Sequence, residues 1–378
     1  MLHSKLTAFA IGLATMLFFS PVNELKAQQD SILNNVQDFN CLTAFTEANY
    51  SAFPFIMKKG YRAEYRKIKD SILSKLQQGQ LSISQATCEY AYWFRHNFDG
   101  HYYVDLHMFW HTYMRNDGPD YSQIMVYQPE KLSVQVDKHT WLIRIPSCEG
   151  KDPTFQWVNN ACKQYLQSKC RNLIVDIRGN SGGSDGIWEP LTNLLIDHPN
   201  VSPEQYLFRN TYPNSSVFEN HPIQELPDWA KTLLEKTKNC KDDLIKIFDE
   251  NDDNTDTLPA HNKNSRIAFI IDRKTASAAE TILRIAIKYT LRNRYLIFGK
   301  ENSAGCAETG NIMPYTLPHS RLVVYYPTTV SSAFLSEDST YGHSSGIRPN
   351  VHIDLPYPGT LTNNIDEWVK WVARYLEH

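Results

Sequence analysis

Residues 266–280 run Arg266-Ile267-Ala268-Phe269-Ile270-Ile271-Asp272-Arg273-Lys274-Thr275-Ala276-Ser277-Ala278-Ala279-Glu280. Positions 267–271 are an unbroken apolar run ahead of a polar turn, which predicts a fully buried strand. Residues 278–290 then read as a helix. Ser277 stands at the junction, where the first N–H groups of the helix lack intrahelical partners and the helix dipole is positive. A serine so placed can be a nucleophile with an oxyanion site beside it. The quartet Ser277-Ala278-Ala279-Glu280 also fits the capping box, in which the serine only starts the helix.

A second strand-to-turn junction is Asn172-Leu173-Ile174-Val175-Asp176-Ile177-Arg178-Gly179-Asn180-Ser181-Gly182-Gly183. Residues 173–175 predict a buried strand, and Gly182-Gly183 lets the backbone take positive φ and approach a ligand. Asp185 can cap the helix that follows. The turn lacks the GxGxxG pattern of a dinucleotide site. In open α/β sheets ligands bind at the carboxyl ends of strands. If the two strands share a sheet, an N–H of Gly182 or Gly183 and that of Ala278 can together hold a developing oxyanion.

A serine nucleophile needs a base. His101 follows Asp99-Gly100 turn chemistry between a helical and a strand-like segment. His96 and His107 are its neighbours and rivals.

The other segments frame these junctions. Residues 28–95 read as mostly helical, with Tyr65, Ile68 and Ile72 at helical spacing. Residues 102–104 and 141–145 are strand-like, with turn chemistry at Asn116-Asp117-Gly118-Pro119. From 153 onward strands and helices alternate: helix 155–168, strand 172–177, helix 185–196, strand 267–271, helix 278–290, strand 295–298, strand 322–326 and helix 366–376. That alternation argues for βα units around a parallel-containing sheet. Residues 198–264 interrupt it and read as an insertion, lid or linker. Their acidic run, 249–256, does not meet the calcium-loop pattern.

The 378-residue chain is 42% apolar, enough for a sizeable core, and its net charge of −3 shows no basic nucleic-acid-binding region. Lys5, the apolar stretch 6–19, Pro21 and Ala27 before Gln28 read as an export signal, so residues 1–27 are expected to be removed and the mature protein to be periplasmic or secreted, with no stable membrane insertion. Seven scattered cysteines show no metal-ligand spacing. Cys306, after Gly305, is the one candidate for a cysteine nucleophile.

Together these segments resemble the S41 family of serine peptidases, the tail-specific and tricorn-core group. Asp176-Ile177-Arg178-Gly179-Asn180-Ser181-Gly182-Gly183 is similar to its DxRxNxGG motif, and Thr275-Ala276-Ser277-Ala278-Ala279-Glu280 to its TASAxE motif. Asp99-Gly100-His101 resembles its DGH element. Gly346-Ile347-Arg348-Pro349-Asn350-Val351-His352-Ile353 resembles its late GIxPDxxV strand, with Asn350 in place of Asp.

The resemblance implies an α/β fold with a crotonase-like ββα catalytic domain over 99–378, interrupted at about 198–264, and a small helical domain over 28–98. It implies Ser277 as nucleophile, with Gly182 or Gly183 and Ala278 as oxyanion donors. The substrate is then a peptide or protein, and no metal or organic cofactor is required. The lysine slot of the tail-specific branch is empty, because Cys306 follows Gly305 and Lys300 lies earlier, which passes the base role to His101. The tricorn-like serine before the histidine is Gly100 here, and the late glutamate is His343. Asp99 and Glu301 are the candidates to orient His101. About thirty residues separate His107 from the strand at Trp141, too few for a PDZ domain. The alternatives are a non-catalytic ligand- or lipid-binding protein on the same fold, and an acyl-CoA enzyme, for which an exported chain would find little substrate.

Overall fold

A computed structural model describes residues 21–113, 124–197, 205–220, 222–226, 228–247, 265–334 and 345–378, apart from the side chains of 21–27, Tyr113 and Lys151. Of the expected features, residues 1–20 of the export signal, the turn at 116–119, the acidic run 249–256 and His343 lie outside these residues.

Helices come first: α1 (Pro21–Asn49), α2 (Phe53–Lys58), α3 (Arg62–Gln77) and α4 (Ile83–Asn97). α4 starts on a capping box, with the Gln85 N–H on Ser82 Oγ and the Ser82 N–H on Gln85 Oε1. Then follow β1 (Tyr103–Val104), a π-helical turn (Phe109–Tyr113), β2 (Val126–Tyr127), β3 (Leu132–Gln135), β4 (Thr140–Arg144), α5 (Lys151–Ser168) and β5 (Asn172–Asp176). A 3₁₀ turn (Asp185–Trp188) leads to α6 (Glu189–Leu195), β6 (Tyr206–Arg209), α7 (Tyr212–Glu219), α8 (Asp228–Asn239) and β7 (Leu244–Lys246). The chain closes with β8 (Arg266–Ile270), α9 (Ala278–Tyr289), β9 (Tyr295–Gly299), β10 (Thr309–Thr316), β11 (Val323–Ser331), β12 (Val351–His352), β13 (Thr360–Leu361) and α10 (Glu367–Tyr375).

The central sheet has the order β12-β9-β8-β5-β4-β3, parallel throughout except for β3 against β4. β5 and β8 are therefore neighbours, and the two strand-to-turn junctions leave the sheet side by side. Register explains the unbroken apolar runs. Ile143, Val175, Phe269 and Ile297 form one row, packed under α5 and α9. Leu142, Ile174 and Ala268 form the next row on the opposite face, under Trp368, Val369 and Val372 of α10. A strand covered on both faces has no polar side.

A second sheet centres on β11, with β10 along one side, β1 and β6 on the other, and β7 beyond β6. The early helices pack on it, so that Phe39, Tyr90 and Phe94 share one core with Val324, Tyr326 and Val330. Segment 198–264 is more than a connector, because β6 and β7 extend this sheet. β10 escapes sequence reading because Gly310 and Pro314 interrupt its strand character. β11 extends past the expected 322–326 to Ser331. Asp185 is not a cap: Ser184 holds the N-cap position, with no side-chain bond, and Asp185 opens the 3₁₀ turn.

A buried ion network ties α10 to the end of β5. Arg144 donates to Asp176 at 2.7 Å and to Asp366 at 2.9 Å, while Arg178 reaches Asp176 at 2.6 Å and Asp366 at 2.8 Å. Burial opposes ionisation of Asp176, but Arg178 and Arg144 outweigh it and hold the carboxyl below the usual range. Asp176 and Arg178 of the glycine-turn motif thus serve as architecture. All seven cysteines are unpaired. No helix among the described residues is long and apolar enough to cross a membrane.

Candidate active site

The turn between β8 and α9 is fastened to the turn after β5. Asp272 accepts the Gly179 N–H with both oxygens at 3.1 Å, the Ala276 N–H meets the Asn180 carbonyl at 2.9 Å, and Thr275 Oγ1 donates to the Ile177 carbonyl at 3.0 Å. Ser277 sits on this turn with φ 54° and ψ −123°, a conformation that non-glycine residues rarely adopt. Such strain costs about 1–3 kcal/mol and persists only where the surroundings enforce it.

Glu280 supplies part of that enforcement. It is fully buried and accepts the N–H groups of Ser277 (3.1 Å), Gly305 (2.9 Å) and Cys306 (2.7 Å), together with the Ser303 hydroxyl. Burial raises its pKa, and the four donors work against that rise. The capping-box glutamate therefore joins the serine turn to the 303–306 loop as well as starting α9.

Gly182 and Gly183 have φ of 100° and 134°. A Cβ on Gly182 would lie 2.7 Å from Ser277 Cβ, and one on Gly183 would lie 2.6 Å from the Cys148 carbonyl. Only glycine permits this approach. The two N–H groups differ. That of Gly182 is taken by Asn180 Oδ1 at 2.9 Å. Those of Gly183 and Ala278 have no hydrogen-bond partner among the described residues, and both residues line a cavity with Ser277. Two unspent donors beside a serine can stabilise an oxyanion.

His101 is buried and lines a second cavity together with Ser277. Its backbone N–H donates to Asp99 Oδ1 at 2.9 Å, and its Nδ1 lies 2.9 Å from Thr309 Oγ1. The Thr309 hydroxyl spends its one hydrogen on Asp99 Oδ1 at 2.6 Å, so it accepts from His101. The network thus assigns the proton to Nδ1 and leaves the Nε2 lone pair free. Tyr50 completes the chain by donating to Asp99 Oδ2 at 2.8 Å. Burial, followed by the opposing charge of Asp99 and the reinforcing charge of Arg95, sets the His101 pKa below its ordinary value, so the imidazole is held neutral.

Asp99 accepts the His101 backbone N–H and the Thr309 hydroxyl. Glu301 instead accepts the Tyr357 hydroxyl at 2.9 Å and makes no contact with His101 among the described interactions. Lys300 donates to the Leu355 carbonyl at 2.7 Å. His96 contacts Tyr92, and His107 stacks on His111. Cys306 borders Ser277 but is buried, and burial then Glu280 push its thiol pKa far above the ordinary value, so it is no thiolate. Its Sγ fills the space a side chain at residue 100 would need, 2.3 Å from a Cβ on Gly100. Asn350 accepts the Ile297 N–H at 2.6 Å and ties the late loop to β9. Thr309 and Tyr50 carried no signal in the sequence: each meets Asp99 only through folding, 210 and 49 residues away.

Two cavities flank Ser277. One, of about 470 Å³, includes Gly183, Ala278, Asp185, Tyr206, Trp229 and Ile247 in its lining. The other, of about 510 Å³, has His101, Arg95, Tyr103 and Trp110 on its walls. Tyr206, Trp229 and Ile247 come from the segment that interrupts the βα alternation, so that segment builds a wall of the site.

The family model for peptidase family S41 matches residues 139–353. Mature CPAF complexed with lactacystin is similar in fold, with 13% identity, a TM-score of 0.56 and coverage of 92% of this chain and 97% of that one. A candidate peptidase from Parabacteroides merdae is similar at 14% identity and a TM-score of 0.51, with 85% and 90% covered. No curated protein matches the chain.

Proposed function

Because the chain belongs to peptidase family S41, we propose that it is an exported serine peptidase in which Ser277 is the nucleophile and His101 its base. The observation that carries this reading is the placing of Ser277 and His101 on one cavity, beside the unpartnered Gly183 and Ala278 N–H groups. Ser277 Oγ attacks the scissile carbonyl while His101 Nε2 takes its proton. The Gly183 and Ala278 N–H groups receive the oxyanion, and Gly182 provides close approach rather than a donor. Asp99, acting through Thr309, stabilises the imidazolium that forms. His101 then returns the proton to the leaving nitrogen, and water releases the acyl group from Ser277 by the reverse sequence.

The strand–helix units of the central sheet support a crotonase-like core, and the residues before Ala27 support export. Gly100, where the tricorn-like branch has a serine, is accounted for by the packing of Cys306 and gives no support to a non-catalytic reading. A fluorophosphonate probe tests the proposal. Labelling of the purified protein that is abolished in Ser277→Ala and strongly slowed in His101→Ala is expected. A wild-type protein that resists the probe and cleaves no peptide overturns it.

A further inference from the structure

The base returns its proton to the leaving amine, so the leaving half of the peptide lies on the His101 side of Ser277. This rests on the reading above. That side is the cavity of about 510 Å³. Its lining has one permanently charged side chain, Arg95, and no carboxylate.

Arg95 is held in place but little used. It stacks against Trp110, 5.0 Å from the ring centre, with Tyr103 at 6.0 Å. One terminal nitrogen donates to the Gly100 carbonyl. Its Nε is buried without a partner, and no acidic side chain pairs with it among the described residues. A guanidinium carries five N–H donors in a fixed fork that matches a carboxylate. Two aromatic walls restrict its rotation, so little entropy is lost when that fork is engaged. The other cavity has the opposite character, since its lining includes Asp185 and neither arginine nor lysine.

We propose that Arg95 is the receptor for a carboxylate on the leaving-group side of the substrate. The carboxylate is either the free C-terminus of the peptide or an acidic side chain just after the scissile bond. Bound there, it neutralises the one cation beside His101 and fixes the leaving half of the peptide across the catalytic pair. Arg95 is a specificity residue and takes no part in the bond-breaking step.

The test separates this site from catalysis. Ser277→Ala protein is titrated with three tripeptides: Gly-Phe-Ala, its C-terminal amide, and Gly-Asp-Ala amide. The acid is expected to bind at least about tenfold more tightly than its amide, and this preference should vanish in Ser277→Ala/Arg95→Gln with an unchanged melting temperature. Comparable binding of Gly-Asp-Ala amide identifies an acidic side chain as a second source; its failure to bind restricts the site to chain ends. Binding of all three peptides with equal strength, or a carboxylate preference that survives Arg95→Gln, overturns the proposal. Both readouts hold whether or not the wild-type protein cleaves peptides, so failure of the peptidase reading shows separately in the fluorophosphonate experiment.

Discussion

Tyr50, at the end of the first helix, donates its hydroxyl to Asp99 Oδ2 at 2.8 Å. Asp99 in turn holds the Thr309 hydroxyl at 2.6 Å, and Thr309 holds His101 at 2.9 Å. The helical region thus reaches the imidazole through three side chains, and the residue in contact with Nδ1 is a neutral hydroxyl. Its hydrogen is committed to Asp99, which leaves the imidazole only one tautomer that satisfies every group.

Thr309→Val should remove the acceptor for Nδ1–H while keeping the shape of the side chain. A reduction in kcat/KM of roughly 10- to 100-fold is expected, part of the ~10²–10⁴ that a positioned base supplies. Thr309→Ser should recover most of it. Steady-state kinetics on a peptide substrate decides this, and a Val variant with unchanged kcat/KM would remove Thr309 from the relay.

The pH profile follows from the buried imidazole. The proposed mechanism needs neutral His101, whose pKa is lowered from 6.5 chiefly by burial. The acid limb of kcat/KM should therefore have its midpoint below pH 6.5. Asp99→Asn should move the limb lower still, because Asp99 favours the charged form. Stability carries the same sign. The folded state binds fewer protons than the unfolded state, so the contribution of His101 is complete above 6.5 and is lost as pH falls through the folded value. A limb centred above pH 7 would contradict the assignment of His101.

Gly100 and Cys306 should behave as a pair. A Cβ at residue 100 meets Cys306 Sγ at 2.3 Å and the Gly305 carbonyl at 3.1 Å. Gly100→Ala is expected to cost about 1–3 kcal/mol by overpacking and to lower activity by displacing His101. Cys306→Ala in the same chain should recover part of both losses. Denaturant melts of the two single variants and the double variant measure the coupling, and strict additivity would mean the contact is not the cause.

Arg178 should matter for folding more than for chemistry. Arg178→Gln removes a guanidinium from the buried carboxylates of Asp176 and Asp366, and breaking such a pair costs about 3–5 kcal/mol. The melting temperature should drop sharply, while the protein that remains folded labels with fluorophosphonate at a near-normal rate. A large loss of labelling at full stability would give Arg178 a direct part in the site.

Some of this was legible in the residues alone. The apolar run 267–271 declares a strand covered on both faces, because a strand with a wet face would have to alternate. The glycines at 182 and 183 and the serine before Ala278 mark backbone that must turn tightly, a local demand that local sequence states. His101 is singled out from His96 and His107 only by the resemblance to the family's DGH element, since local chemistry does not choose among the three. Strand β10 stayed hidden because its place comes from pairing along β11, which overrides Gly310 and Pro314. Which glycine N–H is unspent was hidden too, since it depends on where the Asn180 side chain turns. The choice between Asp99 and Glu301 required the fold: Glu301 meets Tyr357, while Asp99 reaches the imidazole through a threonine 210 residues away. Secondary structure and turn chemistry are short-range properties, set by neighbours along the chain. The identity of a hydrogen-bond partner across the core is set by packing, and only the tertiary structure decides it.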